Sequence, residues 1–143
     1  MTAMVEPCKV AAVMNLRQRV RSLADLSEAV REGLPKSALK ATLAQAFTTS
    51  ADQTAMLYRV IPEATYKRRR ELLKPDESER TERLARVIAT AYHVWDDEAA
   101  ARRFLTTAHT QLKGQQPIVI ALTELGARQV EELLWKLFYG VAA

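Results

Sequence analysis

The feature that most restricts the fold is a helical repeat of apolar residues in the second half of the chain. From Asp76 or Ser78 onwards, apolar side chains recur at spacings of three and four residues, which places them on one face of a helix. They are Leu84, Val87, Ile88, Ala91 and Trp95. The chain has four glycines and no useful stretch of alternating apolar and polar residues, and its β-branched run after Pro117 fits the start of a helix. The sequence therefore predicts an all-α fold.

Capping residues and apolar periodicity predict where the other helices lie. The predicted ranges are 22–32, 35–47, 50–58, 63–73, 76–95, 98–108, a short helix from 117, and 123–140. Pro75 is expected to end the helix 63–73. Because the net charge changes sign at this proline, we predict three regions: a flexible basic arm at 1–21, a helix-turn-helix region at 22–75, and a helical region at 76–143 packed against it.

Positive charge is concentrated in two places, although the net charge of the whole chain is +4. Residues 59–74 contain six basic and two acidic groups, and residues 1–21 contain four basic groups and one acid. A localised basic patch is typical of nucleic-acid binders, and a solvated helix face is the alternative on charge alone. In the arm, Arg17, Arg19 and Arg21 would share one side of an extended chain, so either a DNA contact or a solubilising tail fits them.

The segment from Asp52 to Leu73 has the outline of a helix-turn-helix. A short helix ends near Tyr58, Pro62 marks a break, and a basic helix follows, on which Tyr66 and Leu73 are expected to face inwards. The cations predicted to contact DNA are Lys67, Arg68, Arg69, Arg70 and Lys74, of which the first, fourth and fifth form one stripe along the helix.

The last predicted helix has more apolar surface than a core-facing helix needs. One face of the helix consists of Ala127, Val130, Leu134, Leu137 and Phe138, and Leu133 widens that face on one flank. Trp135 and Tyr139, four residues apart, add an aromatic patch on the other flank. Because such residues are enriched at binding hot spots, we predict a second contact surface here, with completion of a small core as the alternative.

The sequence offers little to an enzyme or a metal site. His93 and His109 have no cysteine or carboxylate at ligand spacing, and the acids Asp96–Glu98 are more typical of a helix cap. We therefore expect no catalysis, no metal and no cofactor. Because no apolar run is long enough to span a membrane, residues 1–7 lack a secretory signal, and Cys8 is the single cysteine, the expected location is the cytoplasm.

Ordered motifs along most of the chain resemble the Xre/MbcA/ParS antitoxin family, the partners of RES-domain toxins. The N-terminal motifs are Gly33-Leu34-Pro35, then Thr65, Arg68 and Arg69 at the positions of a T-x-x-R-R motif, Glu77-Ser78-Glu79-Arg80, Arg83-Leu84 and Ala85-Arg86. The C-terminal motifs are Phe104-Leu105, Leu112-Lys113-Gly114 with Pro117, Leu122-Thr123, Gly126-Ala127, and Tyr139-Gly140-Val141.

The resemblance implies an antitoxin of a type II toxin–antitoxin pair that forms a homodimer, binds its own promoter as an autorepressor and neutralises a RES-domain toxin that depletes NAD. It implies an Xre/Cro-like helix-turn-helix, adds Thr65 to the DNA-contacting set, and implies that the C-terminal region covers the active site of the toxin. Candidate dimer surfaces are the helix around Leu84–Trp95 and the segments before the helix-turn-helix.

The candidate toxin-binding residues are Glu132, Trp135, Lys136, Tyr139, Val141, Ala142 and Ala143. We expect the three small residues after Gly140 to enter and block the substrate entrance of the toxin. A stand-alone helix-turn-helix regulator without a toxin partner is the alternative function.

Overall fold

A computed structural model describes residues 4–140, and over this range the regular secondary structure is helical. The helices are α1 (Pro7–Val13), α2 (Leu23–Glu32), α3 (Lys36–Ala46), α4 (Ser50–Val60), α5 (Glu63–Arg68), α6 (Pro75–Trp95), α7 (Glu98–Thr106), α8 (Pro117–Ile120) and α9 (Glu124–Phe138), with a 3-10 turn at Thr110–Leu112. The predicted all-α class is confirmed.

Side-chain caps begin several of these helices where the sequence predicts them. Ser22 accepts a hydrogen bond from the backbone N–H of Asp25, and Asp97 and Thr123 cap α7 and α9 in the same way. At α4 the cap is Thr49, one residue before the predicted start. Each cap satisfies a backbone donor that the first turn of a helix leaves without an internal partner.

Helix α6 is the centre of the core and packs against α1, α2, α3, α4, α7 and α9. The face predicted from periodicity is buried, since Leu84, Val87, Ile88 and Ala91 are almost completely shielded from solvent. This face is therefore occupied within the chain and is not free to form the dimer surface considered from the sequence. Trp95, at the end of the same helix, stays partly exposed.

The N-terminal region differs from the expected flexible arm. Val10, Ala11 and Met14 are buried, and α1 packs against α2, α3 and α6. Val20 is buried as well, so residues 4–21 are anchored to the core by several apolar side chains and do not form a separate arm, while Arg17, Arg19 and Arg21 stay exposed. With seven residues, α1 has too few turns to give a clear periodic signal in the sequence.

Helix α5 is shorter than predicted and ends at Arg68, because the following residues have better partners elsewhere. The chain turns extended at Arg69 and runs beside residues 34–36, where Leu73 N–H donates to the carbonyl of Leu34 at 2.8 Å. Gly33 permits this approach: its φ is +101°, and a Cβ there would lie 2.6 Å from the Leu73 carbonyl oxygen. Pro75 therefore does not end α5; it occupies the first turn of α6.

Candidate nucleic-acid interface and aromatic surface

The helix-turn-helix is formed by α4, the turn at Ile61 and Pro62, and α5. Ile61 is fully buried and Tyr66 is nearly so, which fixes the short α5 against the rest of the domain. The guanidinium of Arg80 in α6 donates a 2.7 Å hydrogen bond to the carbonyl of Val60 and so satisfies an acceptor at the end of α4. The turn is thus held from both sides by packing and by a charged donor.

The basic segment, which we define as residues 63–74, presents its cations from two kinds of backbone. Lys67 and Arg68 lie on α5, whereas Arg70 and Lys74 lie in the non-helical segment between α5 and α6. The predicted helical stripe of Lys67, Arg70 and Lys74 is therefore wrong, because the helix ends before the second of them. All four cations are exposed to solvent.

Three members of the predicted DNA-binding set already have partners on α5. Lys67 pairs with Glu63 at 2.7 Å, and that hydrogen bond raises the pKa of the lysine. Thr65 is half-buried, and its hydroxyl accepts a 3.5 Å hydrogen bond from Arg68. These contacts orient the side chains and leave the charges of Lys67 and Arg68 at the surface.

Arg69 differs from its neighbours because it is committed to an ion pair inside the domain. Its guanidinium donates two hydrogen bonds to the carboxylate of Glu77, at 2.8 and 2.7 Å. The side chains are 16% and 3% exposed, respectively. The bonds from Arg69 hold the pKa of Glu77 at about 2. The structure therefore gives Arg69 a positioning role at the start of α6, whereas the sequence placed it in the DNA-contacting set.

Lys36 is a further positioning residue that the sequence reasoning missed. Its ammonium donates to the carbonyl of Arg69 at 2.9 Å and lies 4.4 Å from the ring centroid of Tyr66. The backbone N–H of Lys36 donates to the carbonyl of Glu71 at 2.8 Å. In the sequence, the feature that could have indicated this role is the position of Lys36 directly after the Gly33-Leu34-Pro35 motif.

Four aromatic rings form a second surface at the C-terminal ends of α6 and α9. We call His93, Trp135, Phe138 and Tyr139 the aromatic surface. Trp135 and Tyr139 are stacked with ring centroids 6.1 Å apart, and His93 lies 5.4 Å from Trp135. Phe138 and Tyr139 are 45% and 64% exposed. The predicted excess of apolar surface on the last helix is therefore present, and Phe138, predicted on the main apolar face of that helix, contributes to it.

The indole N–H of Trp135 is buried and has no hydrogen-bond acceptor among the described residues. An unsatisfied buried donor costs about 1–3 kcal/mol. Next to it, Glu132 and Lys136 are exposed and paired with each other at 3.2 Å. Val141, Ala142 and Ala143 lie outside the described residues.

A network of charged side chains joins α9 to α6, closer to the start of both helices than the aromatic surface. Arg86 donates to Glu131 at 3.0 Å and to Glu82 at 3.3 Å. Burial raises the pKa of both glutamates. Arg83 adds a bond to Glu124 at 3.2 Å, at the start of α9. These bonds fix the orientation of α9 relative to α6, and therefore the position of the exposed rings at the end of α9.

The described range shows no group of three or more His, Cys, Asp or Glu side chains arranged to hold a metal ion. None of the helices between residues 4 and 140 is both long and apolar enough to cross a membrane.

Comparison with known proteins matches each of the two surfaces to a domain. Residues 25–86 match the antitoxin Xre-like helix-turn-helix domain, and residues 90–140 match the antitoxin Xre/MbcA/ParS C-terminal toxin-binding domain. The chain is also 34% identical over 84 residues to Antitoxin Xre of Pseudomonas putida, an alignment that covers 57% of this chain and 53% of that protein. It therefore aligns with about half the length of this curated relative. The first matched range ends and the second begins within α6, at residues 86 and 90.

Proposed function

This chain belongs to the Xre/MbcA/ParS antitoxin family, and from that premise we propose that it is the antitoxin of a type II toxin–antitoxin pair. It acts by binding and not by catalysis. One partner is the promoter DNA of its own operon, where the protein is an autorepressor. The other partner is a RES-domain toxin that depletes NAD, and both interactions take place in the bacterial cytoplasm.

The DNA-binding half of the proposal is supported by the basic segment. Its exposed cations, Lys67, Arg68, Arg70 and Lys74, follow the turn of a helix-turn-helix and lie within the matched domain of that name. Contacts of this kind neutralise phosphates and position the protein on the duplex, while the short α5 can place a few side chains against base edges. A homodimer would bind two half-sites about one helical turn apart.

The toxin-binding half is supported by one observation above all: the aromatic surface is exposed and lies inside the matched toxin-binding domain. Trp135 and Tyr139 combine apolar area with polar atoms and have few rotatable bonds, which makes them effective anchors in an interface. Glu132 and Lys136 border the rings and would form part of a polar rim. Residues 141–143, which follow directly, are proposed to occlude the substrate entrance of the toxin.

The proposal is tested by co-expressing this chain with the RES-domain protein encoded in the same operon. We expect the chain to restore growth and to co-purify with the toxin. Cell growth and NAD content would be followed beside a pull-down, using unmodified chain and a Trp135→Ala/Tyr139→Ala variant. Failure of the unmodified chain to bind or to protect would contradict the antitoxin assignment and would favour the alternative, a stand-alone helix-turn-helix regulator.

The dimer is tested separately by light scattering of the chain at tens of micromolar concentration, both free and on operator DNA. A monomer under both conditions would contradict the proposed homodimer and leave toxin neutralisation unaffected.

A further inference from the structure

A surface cavity of about 700 Å³ lies between α1, the C-terminal ends of α3 and α6, and the end of α9. Ala12 and Val13 of α1 form one apolar wall, and Phe138 of α9 forms part of another. Lys9 and His93 provide polar atoms at the same cavity. Its size suits one or two protein side chains, and its mixed lining suits an apolar group next to a charged one.

The cavity is continuous with the aromatic surface, because two residues belong to both. His93 and Phe138 line the cavity, and their ring centroids are 5.1 Å apart within the aromatic surface. A partner that covers the rings therefore also covers this cavity. Its opposite wall is α1, which lies outside the range matched by the toxin-binding domain, residues 90–140.

Lys9 carries a charge that the described residues do not neutralise. Its ammonium lies 3.4 Å from Nδ1 of His93, and no carboxylate of the described residues comes within ion-pairing distance of it. Asp96 also lines the cavity and forms no pair with it. Because an ammonium has three N–H donors, Lys9 can bind a carboxylate in addition to the imidazole.

We propose that α1 completes the toxin-binding surface. Lys9 pairs with a carboxylate of the toxin, and an aliphatic or aromatic side chain of the same toxin segment fills the apolar part of the cavity beside Ala12. This inference rests on the proposed function and extends the toxin interface to a helix near the other end of the chain. The interface therefore includes a charged contact in addition to the aromatic anchors.

The test measures the affinity of the full chain for a catalytically inactive variant of the RES-domain toxin encoded in the same operon. Ala12 is exposed, so Ala12→Trp fills the cavity without disturbing the core. We expect it to weaken the complex by about tenfold or more, because the toxin side chain is excluded. Ala55→Trp, on the exposed face of α4, is the matched control and should leave the affinity unchanged.

The charged contact is tested by Lys9→Met, which keeps most of the aliphatic stem and removes the ammonium. We expect a weaker complex whose affinity depends less on salt concentration, since one screened ion pair is lost. Lys40→Met, at an exposed site on α3, is the control. Circular dichroism melting should show all four variants folded like the unmodified chain.

Three outcomes separate this inference from the proposed function. If Ala12→Trp and Lys9→Met bind like the unmodified chain while Trp135→Ala binds more weakly, α1 lies outside the interface. The inference is then overturned, and the proposed function stands. If the control variants weaken the complex as much as the test variants, the inference is also overturned. If the unmodified chain does not bind the toxin, both the inference and the proposed function fail.

Discussion

Arg69 and Glu77 are joined by a bidentate ion pair that closes the connection between α5 and α6. The same carboxylate accepts a hydrogen bond from the backbone N–H of Lys74 at 2.9 Å. One glutamate therefore caps the first turn of the central helix and fixes the end of the basic segment.

We expect Glu77→Gln to lower the free energy of unfolding at pH 7 by about 2 kcal/mol, because charge-assisted hydrogen bonds to Arg69 are lost. The pKa of Glu77 is about 2 in the folded chain, below its value in an unfolded chain. The stabilisation is therefore complete above about pH 5 and disappears as the pH falls towards 2. Urea unfolding of both proteins across this range should show the difference shrinking. The control, Glu79→Gln, changes an exposed carboxylate and should have little effect at any pH.

Gly33→Ala should destabilise the chain by about 2 kcal/mol, because the new Cβ meets the carbonyl oxygen of Leu73 and the backbone has a positive φ. Gly114 has a φ of +73° with nothing within 4 Å of an added Cβ, so Gly114→Ala isolates the cost of the backbone conformation. Urea unfolding should therefore show a larger loss of stability for Gly33→Ala than for Gly114→Ala. Equal losses of stability would mean that residues 69–74 can move away from the new Cβ with little cost in free energy.

Replacing Lys67 and Arg70 together by alanine should weaken binding to operator DNA and to unrelated DNA alike. If each side chain contacts one phosphate, the slope of log affinity against log salt should decrease by about 1 per residue. Fluorescence anisotropy at several salt concentrations measures both quantities, with Lys113→Ala as a control far from the basic segment. Unchanged affinity and slope would exclude these residues from the DNA contact, whereas loss on operator DNA alone would indicate base reading.

Trp135→Ala should weaken the complex with the toxin by about 2 kcal/mol or more if the indole is an interface anchor. Because Trp135 is half-buried, Tyr139→Ala is a useful second variant: its ring is exposed, and its loss should not affect folding. Leu125→Ala is the control, since it removes an exposed apolar side chain from the start of the same helix. Calorimetry with the inactive toxin would give the affinities. Full affinity for both aromatic variants would place the contact elsewhere.

Removing residues 141–143 should relieve inhibition of the toxin more than it weakens the complex, because these residues are proposed to block the substrate entrance while the rings supply affinity. The measurement is NAD consumption by the toxin in the presence of saturating antitoxin, beside a pull-down of the same mixture. DNA binding by the shortened chain should be unchanged. Complete inhibition in an intact complex would contradict the occlusion model.

The sequence predicted those parts of the fold that depend on neighbouring residues. The caps at Ser22, Asp97 and Thr123 act on the turn that follows each of them, and the buried face of α6 repeats within one helix. The end of α5 could not be predicted in this way, because it depends on hydrogen bonds to residues 34–36, more than thirty positions earlier.

In the candidate sites too, features set by neighbouring residues could be predicted from the sequence, whereas features set by distant residues could not. The excess of aromatic residues on the last helix was visible from the spacing of Trp135 and Tyr139. The contribution of His93 to that surface depends on how α6 packs against α9, and the ion pair of Arg69 depends on the reversal of the chain before Pro75. Neither relationship leaves a local pattern in the sequence.

Helix α6 connects the two surfaces as a single rod. Glu77 lies near its first turn and His93 near its last, and their separation of sixteen positions along the α-helix spans ~24 Å. In the proposed function, the toxin and the DNA therefore bind at opposite ends of one helix, so a substitution at either surface can be made without changing the other.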